Sequence, residues 1–393
     1  MPAITASPAL SNLRILDLTR VRSGPTCVKQ FADFGADVIK IEATTPEDFG
    51  APPDSADYQN LHRNKRSLTL DLKKPEARDV FMRLVKTADV VVENFRPDVK
   101  ARLGIDYESL RKVNKRIILA SISGFGQDGP YRALPGLDQV AQGMSGIMSV
   151  TGVPGEGPMR VGAAVCDVTA GLLAALGIMT ALLERERSGE GQWVQSSLLQ
   201  AGLQLLDFQA ARYTMSGEVP GQVGNDHPTR MPTSAYTTAD GYLNVAATGD
   251  VFWRKLCEAI ARPELIVDSD YATSEARSKN RKGLNAELNA IFKAKTTAEW
   301  IAILNDAQIP CGPIYTMDAV FADEQMQHLK VTSDVVHPRL GKETILSQMA
   351  ILTRTPGAVK TASPERGAHT DEVLREAGYT DAEIAELHAK AIV

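Results

Sequence analysis

The sequence predicts an α/β protein, with a Rossmann-like parallel sheet in a larger domain and a smaller α+β domain beside it. Three observations predict it. Over the first 125 residues, short apolar runs bounded by turn formers alternate with amphipathic segments, the pattern of βαβ units. From about residue 218 the texture changes: a loose Gly/Pro/Asn/Asp stretch leads to two strand-like runs joined by Asp240-Gly241, a strong hairpin signal. Between these regions, a long apolar run from Leu172 to Leu183 has helical spacing and closes on charged residues and Gly189.

Taken in order, Leu13–Thr19 reads as a buried strand, and Ser23-Gly24-Pro25 opens a helix to about Phe34 with proline in its first turn. Asp37–Glu42 is a second strand, and Thr44–Tyr58, rich in Pro, Asp and Ser, reads as an exposed loop. Strands follow at Ser67–Leu72, Asp89–Phe95 and Arg116–Ile122, with helices at Pro75–Thr87 and Tyr107–Val113. In such sheets ligands collect at the carboxyl ends of strands. Trp193–Thr214 reads as helix. In the smaller domain, strands are expected at Ser234–Ala239 and Tyr242–Ala247, and helices near 251–261, 283–293 and 297–307. Thr296 with Glu299, and Thr380 with Glu383, have the spacing of capping boxes. Ile309-Pro310-Cys311-Gly312-Pro313 reads as a stiff connector, and helices return near 370–377 and 380–389.

Composition bounds the function. The 393 residues carry a formal charge of −5, and the basic residues are scattered, which argues against nucleic acid as a partner. Met1–Thr5 has no basic or apolar leader pattern, and the run Gly171–Leu183 is short of the ~20 residues that span a bilayer, so a cytoplasmic protein with no membrane partner is expected. Cys27, Cys166, Cys257 and Cys311 lie far apart, as reduced thiols do, and the six histidines have no metal-ligand spacing, so no metal is expected. Gly124, Gly126 and Gly129 match G-x-G-x-x-G, but Pro130, Pro135 and Gly136 break the chain where a helix should open. The segment reads as a glycine-rich loop and not as a dinucleotide site. No P-loop and no G-x-S-x-G elbow occurs.

One carboxylate stands out. Asp167 sits at the mouth of the long helix, where the free N–H groups of the first turn and the helix dipole would cap it and keep it ionised. An N-cap alone is the plain alternative. Gly162, Ala163, Ala164, Ala170 and Gly171 crowd Asp167, however, and small residues admit a ligand to a carboxylate that could act as a nucleophile.

The motifs LDLTRVRSGP, FGADVIKIE, NKRSLTLDL, VVENFRPDV, LGIDYESL, ISGFGQDGP and CDVTAGLLAALGIMTALLERERSGEGQ occur in that order. They are followed by the DG hairpin, IPCGPI and HTDEVLREAGYTDAEI. In this set the chain resembles, over nearly its whole length, the class III coenzyme A transferases, a family that also holds the α-methylacyl-CoA racemases. The resemblance implies that Asp167 is the nucleophile, passing through an acyl anhydride and an aspartyl-CoA thioester. Acyl-CoA and a small carboxylic acid would be the substrates, with no permanently bound cofactor. It implies CoA contacts at Arg22, Ser23, His62, Arg63, Asn64, Lys65, Asn94, Phe95, Arg96 and Arg102, with Leu137 and Asp138 at the Gly136-Leu137-Asp138 triplet. Thr248, Gly249 and Asp250 would form a substrate loop, poorer in glycine than that of the formyl-CoA transferases, which speaks against oxalate or formate chemistry. Ala43 stands where some members have Arg. It implies an interlaced homodimer with 1–217 and 326–393 in the larger domain and 218–325 as linker and small domain. The racemases carry a histidine base where this chain has Leu137, and leucine cannot move a proton. Racemisation and non-catalytic CoA-ester binding remain the alternative readings.

Overall fold

The computed structural model describes residues 6–45 and 50–393. The residues inspected for a leader (1–5) and residues 46–49 of the expected exposed loop lie outside it. The described chain divides into two compact units. The first comprises residues up to 147, 161–217 and 329–393; the second comprises 148–160 and 218–328. The stretch 1–217, expected as one piece of the larger domain, is therefore interrupted, because Met148–Arg160 clusters with the second unit.

In the first unit, βα repeats run β1 (Arg14–Asp17), α1 (Ser23–Asp33), β2 (Asp37–Glu42), α2 (Ala56–His62) and β3 (Lys65–Thr69). They continue α3 (Pro75–Val85), β4 (Val90–Glu93), α4 (Pro97–Leu103), α5 (Tyr107–Val113) and β5 (Ile118–Ser123). Then come α6 (Asp138–Met144), the single turn α7 (Ile147–Val150), which past Ile147 belongs to the second unit, and, again in the first, the long α8 (Val165–Ser188), β6 (Trp193–Ser197), α9 (Leu198–Leu206) and α10 (Phe208–Ser216). The six strands form one parallel sheet in the order β3-β2-β1-β4-β5-β6, so the chain reverses direction across the sheet between β1 and β4. That reversal opens a crevice at the carboxyl ends of the strands.

Successive residues of each strand serve opposite faces, as the pleat requires. Ile15, Val90, Val92, Ile118 and Ala120 pack under α1, α8 and α9. Leu16, Val91 and Leu119 pack against α3, α5 and two helices near the carboxyl terminus. Both faces are covered, which is why these strands read as nearly continuous apolar runs.

Trp193–Ser197, expected as helix, is instead the edge strand β6 paired with β5. The run is short and joins α9 directly: Ser197 ends the strand, and its side chain accepts from Gln200 N at the start of the helix. Part of the expected loop 44–58 is the helix α2, capped by Ser55. The long helix spans 24 residues, more than the apolar core of its sequence suggests, and is apolar enough by length and composition to cross a membrane. One side of it, Ala170, Ala174, Ile178 and Ala181, is buried on the sheet.

The second unit holds the antiparallel pair β7 (Thr233–Thr237) and β8 (Tyr242–Ala246), turning at Asp240-Gly241 as the sequence indicates. The helices α11 (Asp250–Ala259), α12 (Ser274–Lys279), α13 (Arg281–Phe292) and α14 (Thr297–Asp306) follow. Thr296 and Glu299 close the expected capping box of α14. The expected connector carries β9 (Cys311–Pro313), which joins the sheet beside β8, where an edge position tolerates proline. Two short helices, α15 (Met317–Ala322) and α16 (Glu324–His328), end the unit. The chain then re-enters the first unit through a hairpin, β10 (Thr332–His337) and β11 (Gly341–Leu346), and ends in α17 (Thr370–Glu376) and α18 (Asp381–Ala389). Val373, Leu374 and Ile384 of these last helices complete the second face of the large sheet.

The packing of α1 on α8 depends on Gly171. A Cβ there would lie 2.4 Å from the Ser23 carbonyl oxygen and 3.0 Å from Thr26 Cβ. Gly171→Ala should therefore destabilise the protein by about 1–3 kcal/mol in urea titration, although helix propensity alone favours alanine by about 1 kcal/mol. A more stable variant would show that the two helices are not in close contact there.

Candidate active site

The first turn of α8 is capped from outside itself. Its N-cap residue, Ala164, offers no side chain, and Asp167 is the third residue inside the helix and not the cap expected from the sequence. The free N–H groups of Cys166 and Asp167 donate to Asp138 Oδ1, at 2.9 and 3.1 Å. Asp138 opens α6 and is buried. Its other oxygen, Oδ2, accepts from Gln142 Nε2 at 2.6 Å.

The Asp167 carboxyl is thereby released from capping and left half-buried at the helix mouth. Burial and the neighbouring Asp138 charge push its pKa up to about 6, while Arg22 and a hydrogen bond from Ser23 pull the other way. The acid stays ionised at neutral pH as the sequence suggests, but capping by the helix end is not the cause. The N–H donors that would have lowered it are spent on Asp138. Such a carboxylate is still largely ionised at neutral pH, but it is poorly solvated. Cys166 beside it is buried, with a thiol pushed up to about 11, and is packing in character.

A cleft of about 1140 Å³ lies at the carboxyl ends of β1 to β4, where the strand order reverses. Among its lining residues are Val21, His62, Lys73, Phe95, Arg102 and Arg366. The turn 20–23 runs from this cleft, through Val21, to Arg22 and Ser23 beside Asp167, a reach of two residues or under about 8 Å. Several cations on the cleft wall are already matched: Lys40 by Glu42, and Arg339 by Asp54 and Glu365. Lys73, Arg102 and Arg366 make no ion pair among the described residues, and all three are exposed.

The residues named from the sequence fall into three groups. His62, Phe95 and Arg102 line the cleft, and Arg22 and Ser23 lie beside Asp167. A second group is held internally. Arg63, 1% exposed, forks onto Asp33 at 2.6 and 3.0 Å, and Asn64 donates to Asp33 Oδ1 at 2.9 Å. Lys65 pairs with Asp17 at 2.8 Å, with His62 Nδ1 3.2 Å away, and burial next to Lys65 keeps the His62 ring neutral. These groups hold β3 to the sheet and are closed to a phosphate; Asp138 is likewise committed to the helix cap. The third group lies apart from the cleft lining. Asn94 clasps the Arg20 backbone through both its amide groups, Arg96 donates to Ala133 O, and Leu137 is 57% exposed. In the second unit, Thr248 meets Thr233 at 2.8 Å and Gly249 precedes α11 at φ +85°. Asp250 pairs with the buried Arg277 at 2.8 Å. Lys73, Arg366 and Gln142 were not anticipated. Only Gln142 carried a local signal, its i+4 spacing from Asp138 on one helix face.

The chain is similar to known proteins over most of its length. The family model for CoA-transferase family III matches residues 10–370. The chain is 38% identical to a succinate–glutarate CoA-transferase of Agrobacterium fabrum, over 94% of this chain and 96% of that one. It is 34% identical to a succinyl-CoA–D-citramalate CoA-transferase of Chloroflexus aurantiacus, over 98% of each. A crystal structure of a CaiB/BaiF family protein from Brucella suis superposes with a TM-score of 0.82 at 33% identity, covering 94% of this chain and 99% of that one.

The position of Asp167 carries a stability cost that depends on pH. Its folded pKa, about 6, lies above the ~3.9 of an unfolded aspartate, so its contribution is fully favourable below pH ~4 and is lost as pH rises through 6. Asp167→Asn should therefore be more stable than the parent at pH 8, by about 1–2 kcal/mol after solvent screening, with the gain vanishing near pH 4. Melting curves across that range check it; a gain independent of pH would remove the carboxyl as its cause.

Proposed function

The chain belongs to CoA-transferase family III and is a CoA-transferase, and from this we propose that it moves CoA from succinyl-CoA to a second dicarboxylic acid through Asp167. The relatives' names support a succinyl donor and a dicarboxylate acceptor, since glutarate and D-citramalate both carry two carboxyls. The observation that carries the mechanism is the half-buried Asp167 carboxyl, raised to about 6 and reachable through the turn that borders the cleft.

In this reading the Asp167 carboxylate attacks the thioester carbonyl and CoA leaves as thiolate, forming a mixed anhydride. The thiolate attacks the aspartyl carbonyl and releases succinate, leaving an aspartyl-CoA thioester. The acceptor carboxylate attacks that thioester, forming a second anhydride and freeing CoA thiolate again. Attack of the thiolate on the acceptor's acyl carbon then gives the new acyl-CoA and restores Asp167. Each step exchanges acyl groups of similar energy, so one difficult exchange becomes several easier ones. Lys73, Arg102 and Arg366, which make no ion pair among the described residues, would meet the phosphates of CoA. Leu137 stands where a racemase would need a base and carries no titratable group.

We further propose a homodimer built on α8. Its outward face exposes Leu172, Leu176, Met179 and Leu183, with Leu176 65% and Leu183 75% exposed, a continuous apolar stripe at helical spacing. A second copy of the chain is the occupant assigned to this stripe.

Incubation with succinyl-CoA followed by hydroxylamine or borohydride should label the Asp167 peptide, as read by mass spectrometry. Asp167→Ala should lose the label and at least ~10³-fold in turnover. Arg102→Ala and Arg366→Ala should raise KM for acyl-CoA about three- to tenfold with kcat held. An unlabelled, fully active Asp167→Ala enzyme would end the mechanism. For the assembly, Leu176→Glu with Leu183→Glu should shift the mass in light scattering from dimer to monomer; an unchanged mass would place the interface elsewhere.

A further inference from the structure

The amide of Gln142 is fully buried and has a defined polarity. Its Nε2 donates to Asp138 Oδ2 at 2.6 Å and to the Ala163 carbonyl at 3.0 Å, and its Oε1 accepts from Val161 N at 2.9 Å. Both ends of the group are thus matched, and only one orientation satisfies all three contacts. Ala163 and Val161 belong to the segment that leads into α8. Asp138, through its other oxygen, holds the N–H groups of Cys166 and Asp167. One side chain therefore fixes the approach to the helix directly and its first turn through a carboxylate. Gly202 closes the back of this arrangement: a Cβ there would lie 2.4 Å from Ser145 Oγ and 3.0 Å from Cys166 Sγ, so the turn has little room to shift.

Charge decides why this position holds an amide. A glutamate would fit the same volume, but once ionised it would set a second carboxylate against Asp138 and the Ala163 carbonyl with no proton between them. Only its protonated form could donate to Asp138, and its single O–H would leave the Ala163 carbonyl without that donor. A methionine would fit the space and donate nothing, leaving Asp138 Oδ2 without its partner.

We propose that Gln142 is a positioning residue for the acyl-carrying Asp167. By donating to Asp138 it keeps that carboxylate seated on the first turn of α8 and so sets where the nucleophile is presented. This rests on the reading of Asp167 as the nucleophile. Gln142 meets no substrate on this account, and the cleft assigned to CoA lies at the strand ends, among residues other than those Gln142 holds. Its loss should therefore slow acylation and spare the affinity for acyl-CoA.

The test compares the parent with Gln142→Glu and Gln142→Met. It measures the single-turnover rate of Asp167 labelling by succinyl-CoA from pH 5 to 9, with KM for succinyl-CoA and the circular dichroism of each protein. Relative to the parent at the same pH, Gln142→Glu should label at a near-equal rate at pH 5 and fall tenfold or more by pH 8. Gln142→Met should be tenfold or more slower throughout, with KM within twofold of the parent. The change of the Gln142→Glu to parent ratio with pH, on a variant shown folded by its circular dichroism, decides the matter even if the methionine variant fails to fold. A ratio flat with pH, or a folded Gln142→Met protein labelling at the parent's rate, would overturn the role of Gln142 alone. A parent protein that never labels would overturn the nucleophile reading beneath it.

Discussion

Much of the site depends on one interaction, the Asp138 carboxylate received by the N–H groups of Cys166 and Asp167. A helix start leaves several donors unpaired, and a local Ser, Thr, Asn or Asp usually answers them. Here the N-cap is alanine, and the answer comes from a residue 28 positions earlier on another helix. Had Asp167 served as the cap, its oxygens would face inward and its acidity would rise. Because Asp138 takes that duty, the Asp167 carboxyl is not needed as the cap, and burial, with the negative charge of its substitute, raises its pKa. A carboxylate less well solvated than one in water, but still ionised at neutral pH, is suited to attack on a thioester.

A comparable division of labour governs the cations. Arg63, Lys65 and Arg66 follow one another closely and invite reading as a phosphate site. Each is instead consumed by a carboxylate of the neighbouring elements: Asp33 of α1, Asp17 of β1 and Asp37 of β2. Buried ion pairs of this kind add little net stability, but breaking one leaves a charge without a partner and costs several kcal/mol. They therefore fix the register of β3 against the sheet more than they strengthen it. The cleft cations without an ion pair among the described residues, Lys73, Arg102 and Arg366, come from three separate segments of the chain, the last from near its carboxyl end.

This separation explains what could be read in the sequence and what could not. The alternating apolar runs, the DG turn and the two capping boxes are local signals, and the elements they indicate are present. Asp167 was legible because small residues surround it along the chain. Burial of Arg63 and Lys65 was not, since their partners lie some 30 and 48 positions away and only the parallel sheet brings them together. The strand at Trp193–Ser197 was hidden because it is five residues long and runs without an intervening Gly or Pro into α9, so two periodicities merge in one stretch. Asp138 was noticed for its place in a motif, but its partner atoms are backbone N–H groups, which no side-chain pattern reveals.

The helix that carries Asp167 inverts the usual arrangement of a surface helix. Its buried side carries many small residues, Ala170, Gly171, Ala174, Ala175 and Ala181, beside Ile178 and Leu182, while Leu172, Leu176 and Leu183 are exposed. Small residues bring α1 and the sheet close enough to hold the helix axis without slack, as the 2.4 Å approach at Gly171 illustrates. The same choice moves the bulky apolar surface to the outside, where water does not favour it. A helix packed this way is placed firmly on one side and is unfinished on the other. Asp167 is then referenced to the sheet through Gly171 and to α6 through Asp138, two independent constraints on one carboxyl. That is the geometry expected where a reacting group must sit within fractions of an ångström, since loosening either constraint misplaces it.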